Sequence, residues 1–104
     1  MFVVTNRIPV AEGWEKEFEQ RFRNRAGQID QQPGFIKMLV LKPQSDDTPY
    51  LVETTWNDKT AFEQWVDSDD FKLAHTNPLP KEATKDTGGK IEMFDVVISA
   101  DCKS

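Results

Sequence analysis

Two stretches of this chain read as β-strands that are apolar on both faces, and no other feature limits the possible folds as much. Residues 35–42 set Phe35, Leu39 and Leu41 against Ile36, Met38 and Val40. Residues 90–100 set Ile91, Met93 and Val97 against Phe94, Val96 and Ile98. Successive side chains of a strand point to opposite faces of its sheet, so a sheet containing both stretches needs cover on both sides. A soluble monomer rarely leaves so large an apolar patch in water.

The order of the other elements shows what the first cover is. Residues 2–10 alternate as a strand, with Phe2, Val4, Asn6, Ile8 and Val10 on one face and Val3, Thr5, Arg7 and Pro9 on the other. Residues 12–29 repeat Trp14, Phe18, Phe22 and Ala26 every four positions, and Ile29 completes a helical stripe. Glu12, Glu15, Glu17 and Glu19 precede Arg21, Arg23 and Arg25 in this segment, a polarity that suits the helix dipole. Gln31, Gln32, Pro33 and Gly34 then turn the chain into the 35–42 strand. A short polar turn, 43–49, leads to a third strand at 50–56, which pairs antiparallel with the second. Asn57 is positioned to cap a helix over 58–67, and Ser68 a further turn or two over 69–75, which predicts a break between them. Residues 76–89, with two prolines and two glycines, read as a mobile loop or a loop with one helical turn. The last strand follows.

Strand, helix, strand, strand, helix, strand is the split βαβ, ferredoxin-like arrangement of the α+β class, a four-stranded antiparallel sheet with its helices on one face. Two helices cover one side only. The second cover is then expected to be another copy of the chain, in a homodimer whose sheets pack face to face.

At 104 residues the chain is expected to form a single domain over 1–104. The net charge of -5 and the lack of a dominant basic patch argue against a phosphate-backbone binder, so no nucleic acid partner is expected. The one cysteine, Cys102, cannot close an internal disulfide and suits a reducing compartment. The N-terminal residues lack the pattern of a signal peptide, and no run approaches the ~20 apolar residues of a membrane span. A cytoplasmic protein with no membrane partner is expected.

Asn6 is the one polar side chain on its face of the first strand. A buried amide without partners costs about 1–3 kcal/mol, so either a neighbouring backbone group satisfies it or it points into a ligand cavity. Its face lacks Arg7 and is the better candidate to meet the helices. Asn6 would then share a cleft with Trp65 and with His75, the only histidine, walled by side chains that include Phe22 and Phe71. An amide, an indole and an imidazole within apolar walls suit a flat, apolar molecule with one coordinating or reactive centre. Taken singly, His75 reads as a ligand or as a surface or capping residue, and Trp65 as a cofactor contact or as core.

A resemblance sharpens these alternatives. The residues that carry it are Asn6-Arg7, Phe22, Pro33-Gly34-Phe35 and the run from Trp56 through Ala61-Phe62, Trp65, Ser68-Asp69 and Phe71-Lys72 to Ala74-His75. Together they resemble the IsdG-type haem-degrading monooxygenases, members of the antibiotic-biosynthesis-monooxygenase superfamily of dimeric α+β barrels. The similarity spans almost the whole chain, with the Trp56-to-His75 run its most specific part. Residues 76–89 match in length only.

The resemblance implies that haem is both substrate and cofactor. His75 would be the axial ligand of the haem iron, leaving the opposite position for dioxygen. Asn6 would lie on the dioxygen side with its amide as donor. Trp65 would press the porphyrin out of flatness, with Phe22 and Phe71 also lining the haem. Dioxygen and an external electron donor would open the ring, releasing iron and a linear tetrapyrrole. The chain carries no Gly-rich dinucleotide loop, so the reductant would be separate. Other readings are a cofactor-independent monooxygenase of a quinol or polyketide-like aromatic, a haem carrier or sensor without turnover, and a dimeric module with no ligand.

Overall fold

The computed structural model describes residues 1–74, 80–85 and 89–101, apart from the side chains at 25–28, 74 and 81. The elements follow as β1 (Phe2–Ile8), α1 (Glu15–Ile29), β2 (Phe35–Leu41), β3 (Tyr50–Trp56), α2 (Lys59–Val66), α3 (Asp69–Ala74), a 3-10 turn (Lys81–Ala83) and β4 (Lys90–Asp95). The four strands form one antiparallel sheet in the order β2-β3-β1-β4. This is the expected α+β, ferredoxin-like architecture.

The element ends follow from local chemistry. Pro9 has no N–H to continue a ladder, so β1 stops at Ile8, and Val10 makes only an isolated bridge to Thr84. The backbone N–H groups of Ala11 and Lys85 donate to the carbonyls of Ala83 and Pro9, each at 2.7 Å, which ties the 3-10 turn segment to the end of β1. α1 begins at Glu15, later than the expected 12, because Gly13 turns the chain at φ 90°. The Glu15 carboxylate takes the Gly13 N–H at 2.8 Å. Trp14 still joins the stripe, its carbonyl accepting from the Phe18 N–H at 3.0 Å.

Three further expectations are corrected. The ladder between β2 and β3 shifts register between Phe35 and Lys37. A bulge moves every side chain before it to the other face. Phe35 therefore lies on the helix side, packed edge-on to Trp56 with ring centres 5.2 Å apart, rather than with Leu39 and Leu41. β4 ends at Asp95 rather than near 100, because its partner β1 runs out. The Val96 N–H donates to the Met1 carbonyl at 3.0 Å, and Val97 and Ile98 beyond it are 88% and 86% exposed. Asp58, not Asn57, caps α2, its carboxylate accepting the Ala61 N–H at 2.9 Å. The Asn57 N–H instead reaches the Gly34 carbonyl at 2.8 Å. The expected break after α2 is present at Ser68.

The core lies between helices and sheet in two adjoining clusters. One gathers Phe2, Val4, Ile29, Trp56, Ala61 and Trp65. The other gathers Phe18, Tyr50 and Val52. Trp56 and Phe18 are wholly enclosed. The opposite face of the sheet leaves Leu39, Leu41 and Phe94 exposed. Among the described residues, no helix is long and apolar enough to cross a membrane.

Candidate functional site

Asn6 shares its sheet face with Phe2 and Val4, both core residues, so the Asn6 side of β1 is the side that meets the helices. Across the sheet it stands opposite Val52 of β3 and Ile91 of β4. It is half-buried, and among the described residues its amide makes no hydrogen bond. Of the two possibilities open in the sequence, satisfaction by a neighbouring backbone group is not the one seen. Gly89, just before β4, borders it closely: a Cβ there would stand 3.5 Å from the Asn6 Oδ1 and 3.1 Å from the Arg7 carbonyl oxygen.

Trp65 and Phe71 are brought together where α2 meets α3. Trp65 is 7% exposed, held among Phe2, Ile29, Trp56 and Ala61. The Phe71 ring meets its indole at 86° with centres 5.4 Å apart. Ser68 fixes the corner between them. Its hydroxyl donates to the Trp65 carbonyl at 2.6 Å and accepts from the Phe71 N–H at 3.1 Å. α3 ends at Ala74. His75 lies outside the described residues, as does Cys102.

Phe22 belongs to the neighbouring cluster, its ring 4.9 Å from that of Phe18. Met38 packs against both clusters. Phe22 also lines a hollow of about 310 Å³ with Glu19, Arg23, Lys42 and Tyr50. Within it the Tyr50 hydroxyl donates to Glu19 Oε2 at 2.6 Å. Burial first, and then the Glu19 carboxylate, push the Tyr50 pKa well above its ordinary value. A larger open hollow of about 880 Å³, at the Arg7 end of β1, mixes Arg7, Lys42, Lys85 and Lys90 with Glu12, Glu15 and Asp46. Of the described residues singled out from the sequence, Asn6, Phe22, Trp65 and Phe71, it contains none.

The sequence did not single out Ile91 and Met93 as site residues. They stand on the helix side of β4, in register with Asn6 and Val4. The helices lie over β2, β3 and the start of β1. Val4 and Val52 are each 7% exposed beneath them, whereas Ile91 is 61% and Met93 51% exposed. Periodicity alone could not show this. The signal available was topological: this strand order makes the last strand an edge, beyond the reach of two helices.

The family model described as antibiotic biosynthesis monooxygenase matches residues 1–77, a segment that includes Asn6, Phe22, Trp65, Phe71 and His75. The chain is 42% identical over 79 residues to a heme oxygenase (staphylobilin-producing) of Staphylococcus haemolyticus, covering 74% of this chain and 75% of that one. It is 35% identical over 79 residues to a heme-degrading monooxygenase of Bacillus thuringiensis, covering 74% and 73%. Among solved structures, the heme-degrader MhuD from Mycobacterium tuberculosis, with two hemes bound in its active site, superposes with a TM-score of 0.80 at 29% identity, over 97% of this chain and all of that one.

Proposed function

The chain belongs to the antibiotic biosynthesis monooxygenase family, and from that premise we propose that it is a haem-degrading monooxygenase. The observation that carries this reading is the 42% identity to a heme oxygenase over 79 residues. The site also fits the group. A half-buried amide with no hydrogen bond among the described residues is free to meet a ligand, and it adjoins apolar side chains that the helices leave open. Such surroundings suit a flat macrocycle that is apolar over its faces.

Bound haem would supply both the ring to be opened and the iron that activates dioxygen, with electrons from an external donor. The chain's own residues would do the following. His75, directly after α3, would give one ring nitrogen to the iron. Asn6 would donate its amide N–H from β1 toward the oxygen side. Trp65 would bear on the macrocycle. It would do so through the small part of its indole that stays exposed, the rest being held by Phe71 and the core. Phe71, and Phe22 from α1, would complete the apolar walls.

The working unit in this reading is a homodimer. Leu39, Leu41 and Phe94 lie exposed on the face away from the helices, and Val97 and Ile98 extend beyond it. Sheet-to-sheet packing would cover that face. A chain that sediments as a monomer at micromolar concentration would refute the dimer.

The experiment for the activity is a haemin titration of the purified protein, followed by ascorbate in air. A shifted Soret band that saturates near one haem per chain and then bleaches, with catalase present, is the expected result. No shift would overturn the reading. A shifted band that stays intact under ascorbate would leave a carrier rather than an enzyme.

A further inference from the structure

We propose that Ile91 and Met93 of β4 form the apolar wall against which the haem macrocycle is seated, a role that rests on the haem-degrading reading. Along β4 the side chains divide cleanly. Lys90 and Glu92 point to the face away from the helices, where Glu92 takes the Arg7 guanidinium at 2.8 Å. Ile91 and Met93 point the other way, into the space the helices do not reach, and stay 61% and 51% exposed. Two large apolar side chains left open on an edge strand are an aggregation hazard unless something covers them.

Their position says what the cover is. Ile91 stands directly opposite Asn6, the amide that has no hydrogen bond among the described residues. The apolar strip and the Asn6 amide therefore belong to one surface. The two side chains are about 7 Å apart along the strand, a spacing that a flat ring system spans. Ile supplies a stiff branched contact and Met an adaptable, polarisable one. A second copy of the chain fits this strip poorly. Two side chains bury far less than the about 800 Å² per partner of a stable interface, and the broad apolar surface suited to a dimer is on the opposite face.

The test compares Ile91→Gln, Met93→Gln and the double variant with wild type. Ile36→Gln serves as control, since Ile36 is 42% exposed on β2 at the far edge of the sheet. Haemin dissociation constants are read from Soret titration and from quenching of tryptophan fluorescence, with melting temperature and sedimentation in parallel. The expected result is about tenfold weaker haemin binding for each single variant, equivalent to ~1.4 kcal/mol, and a greater loss for the pair. Melting temperature and oligomeric state stay unchanged, and Ile36→Gln binds like wild type. Wild-type haemin affinity in the double variant would overturn the proposal while leaving the haem reading intact. A change of oligomeric state with unchanged affinity would overturn it in favour of a protein contact. A wild-type chain that takes up no haemin would remove both.

Discussion

Replacing Gly34 with Ala tests how α2, and with it Trp65, is set against the sheet. Gly34 has φ 81°, and a Cβ built there would lie 2.5 Å from the Cβ of Ala61, which is itself buried on α2. Two penalties are expected. An L-residue held in the left-handed region costs about 1–2 kcal/mol. Carbon atoms normally meet at about 3.5–4.0 Å, so the methyl groups would overlap by about 1 Å or more, and overpacking of that kind costs about 1–3 kcal/mol. The sum, about 2–5 kcal/mol, is a large part of the ~5–15 kcal/mol that stabilises a typical domain. Gly13→Ala isolates the first penalty, because Gly13 has φ 90° and a Cβ there would meet nothing within 4 Å. It should lose only about 1–2 kcal/mol. Urea unfolding followed by tryptophan fluorescence measures both. In the double variant Gly34→Ala with Ala61→Gly, the clash term should vanish and leave a favourable coupling of about 1–3 kcal/mol. If Gly34→Ala costs no more than Gly13→Ala, this contact does not fix the place of α2 and the reasoning fails.

His75→Ala should abolish tight ferric haem coordination, seen as loss of the shifted Soret band; an unchanged spectrum would remove His75 as the ligand. Asn6→Ala should keep haem affinity within a few-fold and lose degradation, and an unaffected bleaching rate would count against its donor role. Trp65→Phe should lower stability by about 1–2 kcal/mol and slow turnover; lost stability with wild-type kinetics would make Trp65 a core residue only. Tyr50 provides a pH prediction. Its folded pKa is raised, so the fold favours the protonated phenol. That stability is fully present below the ordinary tyrosine pKa of about 10 and is lost as pH rises through the higher folded value. The urea midpoint should therefore fall above about pH 10, and fall less in Tyr50→Phe; parallel curves would refute the assignment.

The parts of the fold that depend on near neighbours could be read from the sequence. Alternation in β1 put Asn6 on the face of Phe2 and Val4, and the Ser68 break appeared where a capping side chain follows an amphipathic turn. Features set by distant partners could not. The face of Phe35 depends on one bulged residue in pairing with β3. The end of β4 depends on β1 beginning at Phe2, at the other end of the chain. The openness of Ile91 and Met93 depends on which strands the helices cover, and no local pattern records that. For the site, strand register and residue chemistry suggested five residues around one cleft and a resemblance assigned their roles, whereas the structure joins Trp65 to Phe71 and gives Phe22 to the neighbouring cluster.

The corner at Ser68 gives this molecule a tuning screw. One hydroxyl holds both the Trp65 carbonyl near the end of α2 and the Phe71 N–H in the first turn of α3. α3 is six residues long, a lever of about 9 Å at 1.5 Å per residue. A tilt of about 6° at its base would carry its far end by about 1 Å, while Trp65, behind the pivot and locked in the core, stayed still. Substitution of this single small side chain would thus shift α3, and the Phe71 ring it carries, against Trp65 while the strands of the sheet keep their pairing.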